Sequence, residues 1–107
     1  MNPVILLLVE HDALRARLHG WLADSYSVHC VPHTQHYELC VMDSAYMRRV
    51  LLPPKRPWLA RLMLHIHTDP ELSPWQQADD FISVHPDDLE SLRRDEFQAR
   101  LSRLQAN

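Results

Sequence analysis

Seven apolar residues in an unbroken row, PVILLLV at positions 3–9, open the chain and stop abruptly on Glu10-His11-Asp12. A strand with one solvated face alternates apolar and polar residues. This run does not alternate, so it reads as a strand covered on both faces, an inner strand of a parallel sheet. It is far shorter than the ~20 residues that span a bilayer. It also lacks the basic leader and small-residue cleavage site of a secretory signal. The chain is therefore expected to be cytoplasmic, with no membrane partner. A length of 107 residues suits one domain, 1–107, around a single core.

Behind that strand, Leu14, Leu18, Trp21 and Leu22 fall at i, i+4, i+7 and i+8, one face of an amphipathic helix, with Arg15 and Arg17 toward solvent and Asp12 placed to cap its start. Residues 26–31, 38–42, 61–67 and 80–84 read as four further strands, the third strand in chain order ending at Asp43. A short helix is expected over 45–51, followed by the stiff, non-helical segment Pro53-Pro54-Lys55-Arg56-Pro57. One straight amphipathic helix does not fit the last stretch, because at about 100° per residue Leu92 and Leu101 point to opposite sides. A final helix capped by Asp95 instead sets Phe97, Leu101 and Leu104 on one face, and residues 85–93 form a separate turn. Strands alternating with helices imply an α/β sheet whose functional residues gather at the carboxyl ends of the strands. Glu10 and Asp43 both fall there.

Composition removes several chemistries. A dinucleotide fingerprint or a P-loop needs several glycines so that backbone can approach phosphate, and Gly20 is the single glycine of the chain. The net charge of −3 gives no general attraction to nucleic acid, although it is unevenly spread: residues 44–68 carry five cations and no acid, and residues 69–96 carry nine acids against two arginines. Five cations without a helix-turn-helix pattern do not make a nucleic-acid site. Cys30, His33, His36 and Cys40 form a C-x2-H-x2-H-x3-C array of zinc-type ligands, an alternative function as a zinc-binding module. The two cysteines also suit free thiols in strands. His65 and His67 alternate on one strand face, where hydrogen-bonded packing accounts for them.

Val4 to Asp12, Leu39-Cys40-Val41-Met42-Asp43, His65-Ile66-His67-Thr68, Ala78 to Ser83 and Arg94 to Leu101 together resemble, in order and placement, the receiver domain of bacterial two-component response regulators. The resemblance covers most of the chain. It implies a three-layer flavodoxin-like α/β fold with a mostly parallel five-stranded sheet in the order 2-1-3-4-5. Only residues 32–37 separate the second and third strands, so the second helix is deleted, and the third and fourth are shortened, the fourth to about a turn over 72–77. The family transfers a phosphoryl group from a kinase histidine to an aspartate with the help of Mg²⁺ and a lysine. Carried over, Asp43 is the phosphoacceptor, Glu10, Asp43 and the Ala45 carbonyl are metal ligands, and Thr68 and Phe81 are the switch pair.

Two parts of that machinery do not carry over. His11 stands where the family has its second acid, and Mg²⁺ takes oxygen ligands rather than imidazole nitrogen. The family lysine is also missing, since Lys55, the only lysine, lies in the proline-rich segment between the third and fourth strands. The expected function is thus a pseudo-receiver, not an enzyme and without a cofactor, that signals by contact with a protein. A histidine kinase, an effector domain or a second copy of the chain is the expected partner. Trp75, Phe97 and the acidic segment are the expected contact residues. The alternative within the family keeps Asp43 as a working phosphoacceptor with Mg²⁺.

Overall fold

The computed structural model describes residues 3–31, 36–50, 60–71, 73 and 78–106. Its strands are β1 (Val4–Leu8), β2 (Ser27–His29), β3 (Leu39–Asp43), β4 (Leu62–His67) and β5 (Asp80–Ser83). Among the described residues the helices are α1 (Asp12–Leu22), α2 (Ser44–Val50) and α3 (Arg94–Ala106), with one 3-10 turn at Leu89–Ser91. The strands form a single all-parallel sheet in the order β2-β1-β3-β4-β5. This is the expected flavodoxin-like architecture with reduced helices. The unbroken apolar run does what its pattern requires: Ile5, Leu6 and Leu7, and beside them Leu39, Cys40 and Val41, have no exposed surface.

The layers follow from side-chain alternation. Ile5, Leu7, Val41, Leu64 and Ile82 face one way and pack under α1, through Leu14, Leu18 and Leu22, and under α3, through Phe97, Leu101 and Leu104. Leu6, Leu8, Cys40, Met42 and Met63 face the other way, where Tyr46 and Met47 of α2 lie against them. The parallel order survives a short connection because β2 is only three residues long. Residues 30–38 must climb back ~10 Å along β2 and cross two strand spacings, ~10 Å more, within the reach of nine residues. The register agrees, since Ile5 pairs with Val28 on one side and Leu39 on the other. None of the described residues of that connection is helical.

Several local expectations need correction. The N-cap of α1 is His11, not Asp12: His11 has extended backbone and its Nδ1 accepts the Leu14 N–H at 3.4 Å. Asp12 belongs to the first turn, where it pairs with Arg15 at 2.5 Å. Arg15 and Arg17 are half-buried instead of solvated. Arg15 donates to the Val9 carbonyl at 2.8 Å, and Arg17 donates to the carbonyls of Leu89 and Leu92, each at 2.9 Å. The final helix starts at Arg94, so Asp95 lies in its first turn. Leu92 stays outside that helix, as the angular arithmetic requires, and is buried under the first face from an extended backbone.

Phe97 is not a contact residue, because it has no exposed surface and packs on Trp21 with ring centroids 5.8 Å apart. The expectations for Trp75, His33, Lys55, the 53–57 segment and the turn over 72–77 lie outside the described residues. Gly20 lies within α1, where an added Cβ would meet nothing within 4 Å.

Candidate functional site

In this topology the chain leaves β1 for one face of the sheet and β3 for the other, which opens a crevice between their carboxyl ends. The crevice is a cleft of about 320 Å³ bounded by His11, Asp43, Ser44, Arg48, Thr68 and Asp69, with Pro86 and Leu89 on its far wall. Ala45 also borders it. The structure thus brings Asp43, His11, Ala45 and Thr68 to one place. Phe81 is elsewhere: it lies beside His65 on edge strand β5 and is 42% exposed.

Asp43 is completely buried, and a buried carboxylate needs donors. They come from the backbone. Oδ1 accepts the Tyr46 N–H at 2.9 Å, which makes Asp43 the N-cap of α2. Oδ1 and Oδ2 accept the Glu10 N–H at 3.2 and 3.1 Å, and Oδ2 accepts the His11 N–H at 3.3 Å. Asp43 therefore holds the β1–α1 turn against the start of α2. The sequence locates this aspartate at the strand end, and the structure adds a structural task for it.

Two further carboxylates have arginine partners from α2: Asp69 of the cleft, and Glu10, whose N–H meets Asp43 but which does not line the cleft. Arg49 donates to Glu10 Oε1. Arg48 approaches Asp69 Oδ2 at 2.9 Å. That buried oxygen has no hydrogen-bond partner, so its contact with Arg48 is charge pairing alone. After β5, Val84 is buried, its N–H donates to the His67 carbonyl at 2.9 Å, and Pro86 forms the cleft wall. The guanidinium of Arg48 comes from the opposite side of the cleft.

A buried polar chain lies beneath. His65 Nδ1 lies 3.1 Å from the Met42 carbonyl, which can only accept, so Nδ1 carries the proton. Its Nε2 then accepts the Ser44 hydroxyl at 3.4 Å, and Ser44 Oγ accepts the Thr68 N–H at 2.9 Å. Burial holds the His65 pKa below its ordinary value, the Met42 hydrogen bond opposing. Sequence reading placed His65 on a packed strand face and missed its tie to Thr68. Arg48 and Arg49 were also legible only as part of a cation run, although a helix starting directly after Asp43 had to carry them past the carboxyl ends of the strands.

The zinc array gains no support from the described residues. Cys30 is exposed and Cys40 buried. Burial pushes the Cys40 thiol up, away from the thiolate that binds metal. No group of three or more His, Cys, Asp or Glu side chains suited to a metal ion occurs among the described residues. No helix among them is long and apolar enough to cross a membrane. The cations of residues 44–68 that are described are paired within the chain: Arg48 with Asp69, Arg49 with Glu10 and Arg61 with Glu38. No family model, curated protein or solved structure matches the chain.

Proposed function

We propose that this chain is a receiver-like signalling domain of the pseudo-receiver kind, which acts in the cytoplasm by binding a protein partner and does not depend on phosphoryl transfer. The observation that carries this reading is the condition of Asp43. Its carboxylate is buried and accepts N–H groups from Glu10, His11 and Tyr46. Phosphoryl transfer needs an acceptor oxygen positioned to attack, and cations around the transferred group, whereas both Asp43 oxygens are engaged by backbone N–H groups. Here the second acid is His11 and the lysine position has no cation. A partner is a histidine kinase, an effector domain or a second copy of the chain. Phe81 is the large apolar side chain that edge strand β5 offers it.

The competing reading, Asp43 as a working phosphoacceptor with Thr68 and Phe81 as its switch pair, rests on Asp43 and Thr68 bordering one cleft. Incubation with Mg²⁺ and a small phosphodonor, followed by intact-mass measurement, separates the two. The proposed reading expects an unchanged mass. Stoichiometric phosphorylation that disappears in Asp43→Asn, which retains an oxygen to accept the N–H groups, would overturn it.

A further inference from the structure

The resemblance implies Mg²⁺ at this cleft, and the residues present do not fit it. A Mg²⁺ ion demands near-octahedral oxygen ligation, usually from one or two carboxylates with waters. His11 supplies no carboxylate, and its Nδ1 accepts the Leu14 N–H as the cap of α1. The lone pairs of Asp43 are directed at three backbone N–H groups. Glu10 and Asp69 each face an arginine, and the two arginines are neighbours on one short helix.

From this arrangement we infer that α2 carries the built-in counter-ions of the acidic edge: Arg49 on Glu10 and Arg48 on Asp69 neutralise it from within, and the edge does not take up a divalent cation. The inference rests on the receiver-like reading of the cleft and gives it a physical reason.

The charge logic is direct. A cation entering the cleft beside Asp43 and Asp69 would meet the Arg48 guanidinium already paired with Asp69, with Arg49 paired to Glu10 next to it on the same helix. A divalent cation feels that repulsion twice as strongly as a monovalent one. The arginines are largely exposed, 64% and 70% at the side chain, so their removal leaves the core intact. The Arg49–Glu10 pair is of the exposed kind that adds little to folding stability. Arg48, by contrast, faces a buried oxygen of Asp69, so the fold of a variant lacking both arginines is checked by the dispersion of its amide spectrum.

The test is a Mg²⁺ titration followed by amide chemical shifts in the intact chain and in Arg48→Gln/Arg49→Gln. The native chain is expected to show no saturable shift at Glu10, His11 or Asp43. The double variant is expected to show a saturable shift at Glu10 and Asp69, the two carboxylates it frees, with affinity raised about tenfold over any native response, while Asp43 stays on its backbone N–H groups. Saturable Mg²⁺ binding by the native chain would overturn the inference. A well-dispersed double variant that responds no more than the native chain would overturn it too, because the arginines would then not be what excludes the ion. Failure of the functional reading is a separate event: it appears as a mass increase at Asp43 with a phosphodonor, whatever the Mg²⁺ titration gives.

Discussion

On one side of the sheet, α1 and α3 set Leu14, Leu18, Leu22, Phe97, Leu101 and Leu104 over strand residues that are all Ile, Leu or Val. On the other, the buried set is Leu6, Leu8, Tyr37, Cys40, Met42, Ala60 and Met63, and His65 is buried in the same strand row as Met42. The first side has branched aliphatic residues with few rotamers, a layer that specifies one packing. The second mixes thin residues, flexible methionines and a polar chain from His65 through Ser44 to Thr68. Its covering helix α2 has seven residues against eleven in α1 and thirteen in α3. Among the described residues the two layers divide the work: the apolar side holds the shape under the longer helices, and the other side carries the cleft and nearly all of its polar wiring.

The sharpest way to break that comparison is to truncate one fully buried side chain on each side. Phe97→Ala is expected to cost about 3–5 kcal/mol, and Met63→Ala about 2–3, because a layer of methionine, cysteine and alanine relaxes further into the space left behind. Against a total stability of order 5–15 kcal/mol, Phe97→Ala leaves little margin. Urea unfolding midpoints at unchanged slope measure both. Equal losses would show that the two sides are equally rigid.

How much of this was legible depends on the kind of signal. The inner strands were readable because continuous apolar runs ending on Glu10 and Asp43 leave few alternatives to a parallel sheet. The break before α3 was readable because Leu92 and Leu101 cannot share a helical face. Phe97 shows the same signal misapplied: its spacing with Leu101 and Leu104 already assigned it to the core, so it could not also be a surface contact. What was not legible depends on reach. Nothing in the order His11-Asp12 tells which residue has extended backbone, and an imidazole cap is a rare choice beside an aspartate. Arg17 joins carbonyls more than seventy residues away in sequence, and Arg49 finds Glu10 across thirty-nine. Long flexible side chains leave no periodic trace of where their heads go.

Arg17 offers a smaller effect that tests whether the apolar side supports the cleft. Its guanidinium lies 5.0 Å from the centroid of the Trp21 ring and donates to Leu89 and Leu92. Leu89 is part of the cleft wall, so α1 steadies the cleft from the opposite layer. Arg17→Ala is expected to lose about 1.5–2 kcal/mol, the value of half-buried hydrogen bonds from a charged donor. Hydrogen exchange should quicken at the Ser91 and Leu92 amides, which close the turn onto Asp88 and Leu89, more than in β3. Uniform quickening through both would make Arg17 a global stabiliser and leave the cleft wall independent of α1.

The smallest effect is a pH dependence, and it belongs to the polar side alone. His65 is neutral in the fold, with Nδ1–H on the Met42 carbonyl and Nε2 accepting from Ser44, and burial lowers its pKa from the ordinary 6.5. Below pH 6.5 the unfolded chain takes up a proton at this position that the folded chain refuses. The contribution is therefore fully present above pH 6.5 and is lost as pH falls through that value toward the lowered folded one. For one proton the slope is at most about 1.4 kcal/mol per pH unit. His65→Asn has no titrating group there and is expected to flatten this part of the acid limb relative to the native chain. The Thr68 amide, which donates to Ser44, should lose exchange protection in the native chain over the same window. The helix residues buried on the opposite side, Leu14, Leu18, Leu22, Phe97, Leu101 and Leu104, carry no titratable group, so their amides should keep pace with global stability only. Parallel acid limbs for native chain and variant would mean that the buried chain from His65 to Thr68 is inert to protons.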